Sequence, residues 1–460
     1  MLFDSRYGLR TITLNRPKKL NSLNGSMARK ILSRLLEWQN SQLASVVVIK
    51  GEGRAFCAGG DVAWLAEKNA QGKTGQQESK DYFALEFGLD HLIATYSKPY
   101  VAFIDGITMG GGVGLSVHAP FRIATENTVF AMPETTIGYF PDVGASFFLP
   151  RLDGSLGTYL ALTSTQLRGV DVFMAGLATH YLHSSSLPDL EARLSELKFS
   201  DHAPFNDKLK TINTTIEEFC TGLPPIPADT PSPIRGDIRS AIDYAFQPAF
   251  NTLEAVLLGL EGLSHAESDK TPPAIRDWAV QTRKTLLERS PTSLKVTLRA
   301  LDEGAKWGIG KTFLQEHVIA SRFMEHPDFI EGVTALLVSK PKRTPIWSPS
   351  SADRISDRAV DAFFTGQQSR LQLLASDDKA GGPDPDYAEY PHAWLGLPRE
   401  RLVQAFVEAR AGEGREVVEK AAVEAFVGGA GGKQGVKEKV EEILRRKTKE
   451  GEGGSWGWVR

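Results

Sequence analysis

Two carboxylates, Glu134 and Asp142, stand eight residues apart in Met132-Pro133-Glu134-Thr135-Thr136-Ile137-Gly138-Tyr139-Phe140-Pro141-Asp142-Val143-Gly144, an otherwise mostly apolar, proline-braced stretch. Burial raises a carboxyl's pKa, and two neighbouring carboxyls push their values apart. One can then act as base or nucleophile while the other donates or orients. The plainer reading is a pair of loop acids that cap turns. Two glycine turns lie upstream, Ala55-Phe56-Cys57-Ala58-Gly59-Gly60-Asp61 and Gly106-Ile107-Thr108-Met109-Gly110-Gly111-Gly112-Val113-Gly114. A helix that starts on glycine presents free N–H donors and a positive dipole end. One N–H from each turn would make an oxyanion hole for a carbonyl oxygen, each donor supplying roughly 10²–10³ in rate. Such turns also occur where glycine merely permits close packing. The spacing does not fit the G-x-G-x-x-G dinucleotide fingerprint.

The elements that must hold these turns are legible as alternating short strands and helices. A strand is expected over Leu9–Leu14, then a helix with Met27, Ile31, Leu35 and Trp38 on its apolar face, then a strand over Val46–Lys50. A polar stretch around Gln71–Lys80 precedes a helical segment that runs to about Tyr96 and stops at Lys98-Pro99, with a strand over Tyr100–Ile104. The glycine run opens a small-residue helix through His118, followed by strands at Phe121–Ala124 and Thr128–Phe130. This is an α/β order. From 190 to 345 the pattern is helical, interrupted by a Pro-rich loop from Pro224 to Pro233, and Ser290-Pro291 opens a capped amphipathic helix carrying Leu294, Leu298 and Leu301. Beyond Pro349 come Gly/Pro/Asp loops (Lys379–Pro385), charged helices and a Gly-rich end.

Composition narrows the classes. The 460 residues carry 53 Lys+Arg against 56 Asp+Glu, a net charge of −3, which gives no global pull toward nucleic acid or an anionic membrane. Cys57 and Cys220 form neither a disulfide framework nor a metal motif, so a reducing compartment is expected. No apolar run approaches the roughly 18 residues of a membrane span. The strand-like run begins so soon after Met1 that no targeting segment is read in this numbering.

Taken together, these residues resemble the enoyl-CoA hydratase/isomerase (crotonase) superfamily, and within it the 3-hydroxyisobutyryl-CoA hydrolases. The likeness rests on Asn15-Arg16-Pro17, Ala55–Asp61, Lys98-Pro99-Tyr100-Val101, Gly106–His118, Ala131–Leu152, Ser290–Leu301 and Asp328–Val338, and spans residues 1–350. It implies a spiral of ββα units in which a CoA thioester carbonyl sits between the N–H groups of Gly60 and Gly111, with Glu86, Gly111, Glu134 and Asp142 contacting substrate. Read as sequence alone, Glu86 could equally lie on a solvated helix face. A hydratase of this superfamily needs a second glutamate at the position of Gly114, and a dienoyl-CoA isomerase keeps a carboxylate there too. Without it, acyl transfer to water remains: Glu134 attacks the thioester or activates a water, and Asp142 binds the substrate hydroxyl or shuttles a proton. The chain departs from the family pattern at Ala145 and Ser146, where glycine is usual, and at Asp105, where some members have histidine; these changes could tighten the acyl pocket. Cys57 and His118 read as structural.

The resemblance therefore implies hydrolysis of 3-hydroxyisobutyryl-CoA, or a related short 3-hydroxyacyl-CoA, to free acid and CoA in valine breakdown. No cofactor and no metal are implied, CoA being part of the substrate, and location follows the family to the mitochondrial matrix. The expected architecture is an α/β crotonase-like spiral core over 1–190 with the acyl-CoA site, a helical region over 191–350, and a C-terminal helical extension over 351–460. In that extension Glu441/Arg445 and Glu442/Arg446 are spaced as surface pairs of a solvated helix. The tail Gly-Glu-Gly-Gly-Ser-Trp-Gly-Trp-Val-Arg nonetheless carries two tryptophans that ought to dock somewhere. Fungal proteins resembling this family occur in the small subunit of the mitochondrial ribosome. The alternative is thus an assembly protein that meets a protein or ribosomal partner through 351–460.

Overall fold

In the computed structural model, residues 1–200, 203–225, 232–265, 271–365, 369–374, 382–410, 412–450 and 456–459 are described. Parts of the expected Pro224–Pro233 loop, of the Lys379–Pro385 loop and of the glycine tail lie outside them. Ten strands of the first part form two sheets: β1 (Leu2–Arg6), β2 (Leu9–Leu14), β3 (Val46–Gly51), β4 (Ala55–Ala58), β5 (Tyr100–Phe103), β6 (Ile107–Met109), β7 (Phe121–Ala124), β8 (Val129–Ala131), β9 (Leu167–Arg168) and β10 (His180–Tyr181). The six-stranded sheet has the order β1-β2-β3-β5-β7-β10 and the four-stranded sheet β4-β6-β8-β9.

The alternation explains itself. Each of β3, β5 and β7 lies parallel in the large sheet and hands the chain directly to β4, β6 or β8, parallel in the small one, before a helix or helical turn closes the unit. Three such ββα turns stack into a spiral. Because β3, β5 and β7 are covered on both faces, they are almost continuously apolar: Val47, Ile49, Tyr100 and Ala102 face the main core, while Val46, Val48, Val101, Phe103, Phe121 and Ile123 face a second core under helices Leu187–Glu196 and Phe205–Glu217. The short strand-to-strand links leave the glycine turns at one edge of the small sheet.

Helix Gly25–Asn40 buries Met27, Ile31, Leu35 and Trp38, the face its spacing predicts. The polar segment before Lys80 is not a loop. It forms the first turns of one long helix, Lys73–Ala94, which packs back on helix Val62–Asn69 so closely that a Cβ on Gly75 would stand 1.8 Å from the Lys68 carbonyl oxygen. Ser290 caps helix Pro291–Gly304 by accepting from the Ser293 N–H at 3.1 Å.

The residues after 350 fold back on this body. Phe363 lies 4.7 Å, centroid to centroid, from Phe323, and Tyr390 packs edge-on to Phe147 at 5.1 Å. Helix Val436–Lys447 buries Val436, Val440, Ile443 and Leu444. Glu441 and Arg445 lie on an exposed face as expected, but Arg446 corrects the expectation for the Glu442 pair. The side chain is only 3% exposed, and it reaches Glu442 at 3.0 Å, Asp243 at 2.8 Å and Glu400 at 2.7 Å. Spacing alone shows the Glu442 pair but cannot show that two further acids converge on it. The tail tryptophans dock on their own chain: β12 (Trp456–Trp458) pairs antiparallel with β11 (Thr448–Glu450), and the Arg415 guanidinium stands 4.7 Å from the centre of the buried Trp456 ring.

Candidate active site

At the edge of the small sheet, β4 ends in Gly59-Gly60 and β6 in Gly110-Gly111, and the two turns touch. Gly59 (φ +102°) and Gly110 (φ +45°) adopt backbone open to glycine, which turns the following N–H out of its strand. A Cβ on Gly111 would lie 3.5 Å from the Gly60 nitrogen and 2.4 Å from Glu86 Oε1, so glycine is required there. Neither the Gly60 nor the Gly111 N–H is taken by another group among the described residues. Two convergent free donors, one at a helix start, are what a developing oxyanion needs.

Glu134 opens a 3-10 turn, Glu134–Ile137, immediately after β8, and its Oε1 lies 3.0 Å from where a Gly110 Cβ would be. The turn ends at Gly138 (φ +74°), pressed against the Asp328 carbonyl. Tyr139 and Phe140 then anchor the loop. Tyr139 stacks on Phe83 at 5.5 Å and Phe140 on Phe323 at 5.5 Å, so the segment between the two acids is clamped by helix Lys73–Ala94 and helix Ile309–Phe323. Asp142 follows, beside the Tyr139 hydroxyl. Glu86 projects from helix Lys73–Ala94 and is 2% exposed, which excludes the solvated-face reading. Glu86, Gly60, Gly111, Glu134 and Asp142 therefore converge on one buried spot.

Burial dominates the electrostatics. It pushes Glu86 and Glu134 each up to about 8 and holds Asp142 well above the carboxylate range, with the charges of Glu86 and Glu134 adding to the shift of Asp142. Among the described residues, Glu134 Oε2 and Glu86 Oε1 have no hydrogen-bond partner. Such groups carry protons easily and are left with unspent bonding capacity.

Sequence reading missed two further acids. Asp90, one helical turn after Glu86, brings its Oδ2 within 2.4 Å of where a Gly114 Cβ would stand, so the space of the absent side chain is filled from a neighbouring helix. Its electrostatic neighbours are Glu86 and Glu316, not Glu134, so it stands behind the site. Glu316 accepts the N–H groups of Gly144 (2.7 Å) and Ser146 (2.8 Å), and burial lifts it to about 7. It caps the short helix that follows Asp142. A signal existed for both: each acid sits on the apolar face of a helix, among Phe87 and Leu89 or Phe313 and Ile319.

His118 is structural in a specific way. Its Nε2 lies 2.8 Å from the Val143 carbonyl oxygen, which can only accept, so Nε2 carries the proton and Nδ1 accepts from the Tyr390 hydroxyl at 2.8 Å. Burial lowers its pKa to about 4 and keeps the ring neutral. Val143 next to Asp142 has φ +55°, strained backbone for a β-branched residue. Tyr390 and His118 hold that strained carbonyl. Asp105 lies away from the acids, accepting from Thr125 Oγ1 (2.5 Å) and Asn127 Nδ2 (3.1 Å) in the turn between β7 and β8. Cys57 is fully buried. Among the described residues no group of three or more His, Cys, Asp or Glu could hold a metal ion, and no helix is long and apolar enough to cross a membrane.

The family model described as enoyl-CoA hydratase/isomerase matches residues 9–364. Similar curated proteins include the small ribosomal subunit protein mS47 of Neurospora crassa, 50% identical over 97% of this chain and 85% of the relative. They also include the mitochondrial 3-hydroxyisobutyryl-CoA hydrolase of Gallus gallus, 41% identical over 79% of this chain and 88% of the relative. Among solved structures, a carnitinyl-CoA dehydratase from Mycobacterium thermoresistibile superimposes with TM-score 0.69 at 29% identity, covering 82% of this chain and 99% of that one. The spiral fold and the family expected from the residues are those found.

Proposed function

Since the chain belongs to the enoyl-CoA hydratase/isomerase family, we propose that it acts on acyl-CoA thioesters and, more narrowly, hydrolyses 3-hydroxyisobutyryl-CoA or a related short 3-hydroxyacyl-CoA in mitochondria. The observation that carries this reading is the meeting of Glu134 with the free N–H groups of Gly60 and Gly111, while the space at Gly114, where a hydratase of this family carries its second glutamate, is taken by Asp90 from the neighbouring helix. In the reaction, Glu134 as carboxylate attacks the thioester carbon or removes a proton from a water that does. The carbonyl oxygen takes up negative charge against the two N–H groups. The C–S bond breaks and CoA leaves as thiolate; on the nucleophilic route a water then cleaves the acyl-Glu134 anhydride, releasing the acid and restoring the carboxylate. Asp142, kept protonated by burial, donates to the substrate hydroxyl or returns a proton to sulfur. Glu86 packs behind Gly111 and completes the pocket. No cofactor is needed, since CoA is part of the substrate.

Release of free CoA from 3-hydroxyisobutyryl-CoA tests this, with crotonyl-CoA hydration as control and Glu134→Gln as blank. Hydration of crotonyl-CoA without thioester cleavage would overturn it.

A second reading has its own support. The Neurospora crassa ribosomal relative matches 97% of this chain, whereas the Gallus gallus hydrolase matches 79%, so the likeness to the ribosomal protein extends well into the residues after 350. On that reading the chain is a small-subunit component of the mitochondrial ribosome, with or without hydrolysis. Co-sedimentation of the full-length protein with ribosomal particles tests it; confinement to low-mass fractions would exclude it.

A further inference from the structure

A second polar cavity lies where the residues after 380 close on the spiral, and none of the acids described above lines it. A partly open recess with room of about 50 Å³ for water-sized groups is bounded by Arg122, His392, Arg399, Lys439, Asp153 and Phe148 among others. Its charges do not balance. Lys439 and Asp153 neutralise each other at 2.8 Å. Arg122, on β7 and 9% exposed, spends its Nε on the Leu177 carbonyl (2.7 Å) and Nη1 on that of Ala119 (2.6 Å), and meets no carboxylate among the described residues. Arg399 likewise forms no ion pair among them, and its charge acts both on Arg122 and on Asp153, which Lys439 already pairs. His392 is 3% exposed, yet neither ring nitrogen has a hydrogen-bond partner among the described residues.

A buried guanidinium without a counter-ion, a second one facing it and an imidazole with unused polar atoms are each unfavourable in an empty protein cavity. All three are relieved by one anion with several acceptor oxygens, and guanidinium groups favour phosphate through paired N–H donors. We propose that this cavity binds a phosphate group, gripped by Arg122 from the spiral and by His392 and Arg399 from the C-terminal segment. The occupant is inorganic phosphate or a phosphate carried by a nucleotide. It ties the extension to the core, so binding also raises thermal stability.

The test is calorimetric titration of the full-length protein with inorganic phosphate and, separately, with ADP, alongside melting temperatures in the same solutions. Saturable binding is expected, weakened about tenfold or more by Arg399→Gln, which removes a half-exposed cation without a protein partner. Glu134→Gln should leave it unchanged. Binding of phosphate alone identifies the free ion as occupant, and tighter binding of ADP identifies a nucleotide. Failure of both ligands to bind at millimolar concentration overturns the proposal. So does binding that Arg399→Gln leaves intact, or that Glu134→Gln abolishes, since the latter would put the ligand in the acyl-CoA site.

Discussion

Glu134 must lose its proton to work, yet it is buried beside Glu86 in surroundings that favour keeping it. Its pKa of about 8 gives the proposed reaction a pH signature: kcat/KM should rise through an ionisation near 8 in the free enzyme. A flat profile from pH 6 to 9 would contradict its role. Stability should run the opposite way. Glu86 and Glu134 bind protons more tightly folded than unfolded, so the stability they supply is complete below their ordinary value of 4.5 and is lost as pH rises through about 8. The melting temperature should therefore fall between about pH 4.5 and 8, and Glu86→Gln, which cannot ionise, should flatten that fall. The pair Glu134 and Asp142 stands out in the sequence because both acids occupy a short apolar, proline-braced stretch. Asp90 and Glu316 escape notice because their partners, Gly114 and the Gly144 and Ser146 amides, lie on other elements.

At the scale of elements, the glycine turns could be located because turn chemistry is local, and the spiral because buried parallel strands are continuously apolar. The long helix Lys73–Ala94 was misjudged at its start because its first turns are polar and gain their support from packing on Val62–Asn69. Gly114 illustrates the limits of reading by resemblance: the family pattern marks it as the place of an absent carboxylate, whereas the structure fills that space with Asp90. Gly114→Ala should therefore be destabilising by about 1–3 kcal/mol, as overpacking is in a rigid core, visible as a lowered melting temperature. Tyr390 carries no sequence signal at all. It nevertheless connects the C-terminal segment through His118 to the strained Val143 carbonyl beside Asp142. Tyr390→Phe leaves His118 Nδ1 without its donor at a cost of about 1–3 kcal/mol. It should also lower kcat, up to about tenfold, more than it changes KM, because a small shift of a reacting group is felt in the chemical step. Unchanged kcat in a folded Tyr390→Phe protein would show that the segment does not position the site.

Over the whole molecule, the residues after 350 are built into the body. Arg446 joins Asp243, Glu400 and Glu442 while 3% exposed; removing it leaves Glu442 without this partner and leaves Asp243 and Glu400 to Lys447, with Arg239 also on Asp243. Arg446→Ala should cost about 3–5 kcal/mol, measurable by denaturant unfolding, and a cost below 1 kcal/mol would mean that the cluster is hydrated. Deleting 351–460 would uncover Phe323, Phe147 and the His118 ring together, so a truncated protein does not separate a hydrolytic role from a ribosomal one. Point variants in the full chain do. Both roles can coexist on this fold, because the acids lie inside the spiral while a ribosomal contact needs only the outer surface. The measurement that bears most directly on the central claim is release of free CoA from 3-hydroxyisobutyryl-CoA by full-length protein and by Glu134→Gln. Cleavage by the native chain, reduced about 10²–10⁴-fold in a variant of unchanged melting behaviour, is the predicted result. Equal cleavage by both proteins, or none by either, would contradict it.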